Sequence, residues 1–183
     1  MNENDARVQK TRHQLWQAMI DLVLESGYEH ITVRDIAQRA GVGYKTFYRH
    51  YEGKEALLQA LVDDLIAEFR QTLLPPGDEG ASINNTLAVL AFAETHARLF
   101  LMILNSSAAD QLLEPSVAIA LDEGYQTFNS SLIPDELMAY HFATTMLGLL
   151  RWWLESEMAC TKEEMAEYIN LLLIQPMAQL GKM

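Results

Sequence analysis

The chain has 183 residues, of which 50% are apolar and 21% charged. That balance excludes a disordered chain and gives enough length for one sizeable core or two small ones. The formal charge of -12 argues against a polyanionic partner, but residues 1–55 hold eight Lys/Arg against eight Asp/Glu and the remainder five against seventeen.

A neutral first third joined to an acidic remainder implies two parts with different partners, divided as 1–55 and 56–183. The single Cys160 excludes an intrachain disulfide and a cysteine-cluster metal site. The start "MNENDARVQK" lacks the apolar core of a secretion signal, and runs such as "LFLMIL" fall far short of the roughly 20 residues that span a bilayer. The expectation is a soluble cytoplasmic protein with no membrane partner.

Leu15, Met19, Leu22 and Val23 recur at helical spacing and Gly27 ends the stripe, which predicts a first helix over about 11–26. In "ITVRDI", Thr32 is placed to cap a second helix with Asp35 reaching back, while Ile31 and Ile36 clasp its start. Gly41 stops that helix after Ala40, "GVG" makes a tight turn, and a third helix follows over about 43–51. "EGK" leads into a fourth over about 54–73, which the Pro and Gly residues of "LLPPGDEGAS" stop. Beyond it the pattern gives helices at about 82–94, 96–106, 110–129, 134–157 and 162–180, making an all-α chain of about nine helices.

The third helix contains "YKTFYRHY", an aromatic and basic cluster in an acidic chain. At about 100° per residue, Phe47 and Tyr51 point one way, toward the first two helices, and Lys45 with Arg49 point to the opposite face. Tyr44 and Tyr48 form one flank, Thr46 and His50 the other. Guanidinium and ammonium groups can meet guanine edges, while hydroxyls, phenols and a helix start hold phosphates. With the short helix before it, the arrangement is a helix-turn-helix, whose second helix enters the major groove. A solvated basic face on an ordinary bundle reads the same on the wheel.

The run "ITVRDIAQRAGVGYKTFYRHYEGKEALL", Ile31 to Leu58, resembles the DNA-binding domain of the tetracycline-repressor (TetR) family of bacterial regulators. Thr32, Ile36, Ala37, Gly41 and Val42, then Thr46, Tyr48, His50, Lys54 and Leu57, fall at that family's spacing, and the likeness covers about residues 8–65. The resemblance implies that Thr32, Tyr48, His50 and Lys54 grip phosphate. It implies that Arg34, Tyr44, Lys45 and Arg49 approach base edges with Thr46 beside them on the DNA, and that Phe47 and Tyr51 are core. Gly43 departs from the pattern, since the family often has Ser there and Gly supplies no side-chain acceptor.

The resemblance also implies that the remainder is a helical dimerisation and effector-binding domain. From Met138 to Leu154 the apolar residues, Tyr140, Leu147 and Leu150 among them, go almost all the way round, so that helix must be covered on more than one side. Thr161 with Glu164 caps the next helix, which carries a second broad apolar face. Met138, Phe142, Met146, Leu149, Trp152, Trp153, Met165, Tyr168, Ile169, Leu172 and Leu173 are the expected homodimer interface, a four-helix contact with the symmetry mate. Two recognition helices about 34 Å apart would then read a palindrome. Phe92, His96, Phe100, Met102, Tyr125, Phe128 and His141 are the expected wall of an effector pocket, although each taken singly reads more readily as core.

The function expected is that of a sequence-specific DNA-binding regulator, a homodimeric repressor on a double-stranded palindromic operator, released by a small-molecule effector. A protein-interaction module of the same fold is the alternative. A small helical enzyme or metal carrier using Glu94, His96 or His141 is the other, although no His-Glu helix motif, phosphate-cradling glycine loop or nucleophile elbow occurs. No catalytic residue, metal or cofactor is expected.

Overall fold

A computed structural model describes residues 3–72, 81–106, 109–122 and 132–180, and every regular element among those residues is a helix. Helix α1 (Glu3–Ser26) buries the expected Leu15, Met19 and Val23 and ends at Gly27, whose φ of 83° disfavours any side chain. It starts well before residue 11, because "ENDARVQK" has no apolar stripe and hydrophobic periodicity cannot register a helix turn that buries little.

After a 3-10 turn (Tyr28–His30) come α2 (Val33–Arg39) and α3 (Tyr44–Tyr48). The cap on α2 forms as read from the sequence: Thr32 Oγ1 accepts from the Asp35 N–H at 3.3 Å and the Thr32 N–H donates to Asp35 Oδ2 at 2.9 Å. Ile31 and Ile36 are both buried beside it. Gly41 turns the chain with a φ of 67°, and Gly43 starts α3 with no side-chain bond to its amides.

Then follow α4 (Lys54–Thr72), α5 (Ala81–Thr95), α6 (Ala97–Leu104), α7 (Ala109–Asp122), α8 (Asp135–Glu155), α9 (Lys162–Ile169) and α10 (Gln175–Leu180). The chain bends by 86° between α5 and α6. Most of "LLPPGDEGAS", and the end of the helix expected at 110–129, lie outside the described residues. The rod expected at 162–180 is present, but a π turn (Asn170–Ile174) separates α9 from α10. Among the described residues no single helix is long and apolar enough to cross a membrane.

The buried core continues from Leu15 to Met177 through both parts of the chain, and α4 belongs to both. Near its other end, Glu157 and Met158 hold left-handed backbone at φ 53° and 56°, a conformation costing non-glycine residues roughly 1–2 kcal/mol each. Two bonds fasten this turn: the Met158 N–H donates to the Trp153 carbonyl and the Trp153 indole to the Cys160 carbonyl, each at 2.9 Å. Directly after it, Thr161 and Glu164 cap α9 reciprocally, as expected.

One expectation needs correction. Met138, Phe142, Met146, Trp153, Met165, Ile169 and Leu173 are buried within the chain itself. Helix α8 packs on α7, and α9 on α5, so the inward half of each broad apolar face is already covered. Leu149 is half-buried, and only Trp152, Tyr168 and Leu172 of the expected interface stand exposed. Leu137, Tyr140 and Leu171 stand exposed with them.

Replacing Thr161 by Ala removes one acceptor from the α9 start. It should cost about 1 kcal/mol and lower Tm by roughly 2–4 °C in calorimetry, with the fold unchanged by circular dichroism.

Candidate nucleic-acid interface

Helix α3 is fixed from behind. Phe47 is 0% exposed, and Tyr51 just beyond the helix is buried with its hydroxyl accepting from Trp16 Nε1 at 2.9 Å and Arg12 Nε at 3.3 Å. Both donors lie on α1, more than thirty residues away in sequence, and nothing in the local pattern announces them. Arg39 and Glu25 meet through two bonds of 2.9 and 2.6 Å, tying the end of α2 to the end of α1.

The outward face of α3 is left uncommitted. Lys45 and Arg49 are exposed, as is Arg34 at the start of α2, and none of the three makes an ion pair among the described residues. Tyr44 and Tyr48 stand exposed as an edge-to-face pair, centroids 5.0 Å apart, with hydroxyls 3.2 Å apart. That hydroxyl contact pushes the Tyr48 phenol pKa up, which keeps it a neutral hydrogen-bonding group. Thr46 is half-buried on the other flank with His50. Burial, then the nearby Arg49 and Arg12 charges, push the His50 pKa below its usual value, leaving a neutral imidazole at pH 7.

Two of the expected phosphate ligands have intrachain tasks instead. The Thr32 hydroxyl donates to Asp35 Oδ2 at 2.6 Å as well as accepting from its amide. Lys54 Nζ donates to the carbonyls of Tyr28 and Ile31 at 3.0 and 3.1 Å and lies 4.4 Å from the centre of the Tyr28 ring. An ammonium has three hydrogens, so one at most is left for a phosphate. Burial, then the Glu55 and Glu29 charges, push the Tyr28 phenol pKa up to about 12, so the ring under Lys54 stays neutral. Lys54 thereby braces the 3-10 turn and the approach to α2 against the first residue of α4.

The expected effector residues divide. Phe92 and Phe100 line a cavity of about 70 Å³ enclosed by α4, α5, α6, α7 and α8. His96 does not reach it: its ring stacks on Phe92 at 4.4 Å and Nε2 meets Glu68 Oε1 at 3.1 Å, facing a groove shared with α1. Met102 is fully buried outside the cavity wall and His141 is exposed on α8. These three depended on how helices pack, which helical spacing cannot give. Tyr125 and Phe128 lie outside the described residues. Glu94 pairs with Lys162 at 2.7 Å, and no group of three or more His, Cys, Asp or Glu among the described residues could hold a metal.

Residues 17–61, which include α2 and α3, match the family described as bacterial regulatory proteins, tetR family. The uncharacterized HTH-type transcriptional regulator YxbF of Bacillus subtilis is 28% identical over 175 residues, 92% of this chain and 46% of that protein. The tetracycline repressor protein class A from transposon 1721 of Escherichia coli is 36% identical over 63 residues, 34% of this chain and 29% of that one. A TetR transcriptional regulator from Streptococcus agalactiae superposes with a TM-score of 0.69 at 26% identity, over 93% of this chain and 97% of its own. Over most of its length the chain is similar to a regulator of the tetR family. It spans about half the length, or less, of these two curated relatives. The family match ends inside α4, so Lys54 and its brace fall within the matched region.

Lys54→Met keeps the apolar stem but leaves the Tyr28 and Ile31 carbonyls without their charged donor. It should destabilise the fold by about 2 kcal/mol in urea denaturation; an unchanged midpoint would show that the brace contributes nothing.

Proposed function

We propose that the chain is a homodimeric, sequence-specific DNA-binding repressor that places α3 of each protomer in successive major grooves of a palindromic operator and is released by a small-molecule effector. The observation that carries this reading is the division of α3: its back is locked by Phe47 and Tyr51, while Lys45, Arg49, Tyr44 and Tyr48 face outward, exposed and without ion pairs among the described residues. A solvated basic face would not need its orientation fixed from α1. In this reading Arg34, Tyr44, Lys45 and Arg49 approach bases, while Thr46, Tyr48 and His50 hold phosphates. Thr32 and Lys54 hold the backbone that carries them.

The dimer rests on the outer face of α8 and of the rod 162–180. Trp152 is 53% exposed and Leu172 65%, with Tyr140, Tyr168 and Leu171 also exposed, a concentration of large apolar groups that marks a contact surface. Gly148 lies on the same α8 face with no atom within 4 Å of where a Cβ would be, which lets a partner helix approach closely. A second copy supplies the complementary face by symmetry.

Gel shifts against DNA upstream of the protein's own gene should give a specific complex that weakens steeply with salt. Lys45→Ala or Arg49→Ala should each cost about 1–3 kcal/mol where that side chain meets a base edge, and should relax the preference at that position. A folded dimer with no specific shift at low salt would refute the reading. His50 gives a pH test. A phosphate against its imidazole favours the charged form that burial disfavours, so operator affinity should rise as pH falls from neutral toward the lowered pKa of the free imidazole, and His50→Gln should flatten that rise.

A further inference from the structure

The cavity among α4 to α8 is walled almost wholly by hydrocarbon. Among the described residues Ser116 alone on that wall is polar, and its hydroxyl donates to the Leu112 carbonyl at 2.7 Å. Among the described residues no charged side chain and no amide side chain reaches it. A carboxylate or ammonium brought there would exchange its hydration for at most one hydroxyl. Water fares little better: about 70 Å³ is room enough, but a buried water takes two to four polar partners and the wall offers one hydroxyl already engaged. An apolar guest therefore has no well-held water to displace and gains dispersion contact from the wall.

We infer that the cavity takes an uncharged, hydrocarbon-rich small molecule, no larger than one aromatic ring or a short alkyl chain. This rests on the effector-released reading above. The size follows from the volume, since an engineered apolar cavity of about 150 Å³ accepts benzene, so a ring here requires Met146 or a neighbouring Phe to shift. The aromatic arm has a specific reception: Phe69 and Phe92 stand 5.3 Å apart and Phe92 meets Phe100 edge to face at 6.1 Å. Leu65, Ile66 and Phe69 put α4 on the wall. Phe92 continues outward to His96 and through it to Glu68, also on α4. A guest thus bears on the helix whose first residue braces α2.

The test is thermal shift on the full chain without DNA, using toluene and 1-hexanol against their charged counterparts benzoate, hexanoate and benzylammonium. Toluene or hexanol at ten times its Kd should raise Tm by about 3–6 °C. The charged compounds should leave Tm unchanged, and Ala143→Phe, which fills the wall, should abolish the shift. Ala120→Leu serves the same purpose if the Phe variant does not fold. Equal shifts with benzoate or benzylammonium, or no shift with either neutral compound, would overturn the ligand class. Operator release is measured separately by gel shift: binding without release keeps the ligand class and sinks the effector reading, whereas operator binding with no thermal shift does the reverse.

Discussion

A helix of five residues does not persist in water by itself, since even favourable sequences need roughly 12–15 residues to be marginally stable. Helix α3 exists because Phe47 is fully buried and the Tyr51 hydroxyl accepts from Trp16 and Arg12. Everything proposed for the outward face depends on that fastening. Without it Lys45 and Arg49 would be two more mobile surface cations, and ordering them on DNA would consume much of what their contacts return. With it, the orientation is settled before any partner arrives.

The same fastening explains how an acidic chain can present a cationic surface. Three basic groups of the first 55 residues serve the fold: Arg12 on Tyr51, Arg39 on Glu25 and Lys54 on two carbonyls. Arg34, Lys45 and Arg49 are left exposed, without ion pairs among the described residues. The excess of carboxylates belongs to the remainder, and screening over about 8–10 Å at physiological salt limits how far it is felt. Local placement decides the interaction, and the net charge of -12 describes only the long-range field.

Where the determining interactions were local, they were legible in the sequence. The Thr32 and Thr161 caps, the Gly27 and Gly41 stops and the two-faced wheel of α3 all involve residues within a few positions of one another. What could not be read depended on packing between distant elements. The broad apolar face of α8 signals that something covers it, but not that Met138 and Phe142 are buried within the chain while Trp152 is left outside. Lys54 is the clearest case: a Lys at a family position for phosphate is, in the fold, held by two carbonyls more than twenty residues earlier. The start of α1 was missed for the opposite reason, because a hydrophilic helix arm carries no hydrophobic period.

Helix α4 is where the two halves meet. Its first residue holds the carbonyls of Tyr28 and Ile31, just ahead of the α2 cap, and its later turns supply Leu65, Ile66 and Phe69 to the cavity wall. Close-packed interiors transmit displacement because they cannot absorb it, so a shift of the later turns must either bend α4 or move its start. Helix α4 contains no Pro or Gly to bend at. A shift that α4 carries without bending would reach Lys54, and through two hydrogen bonds the turn that aims α2 and α3. That continuity gives cavity occupancy a physical route to the face of α3 without any contact between ligand and DNA.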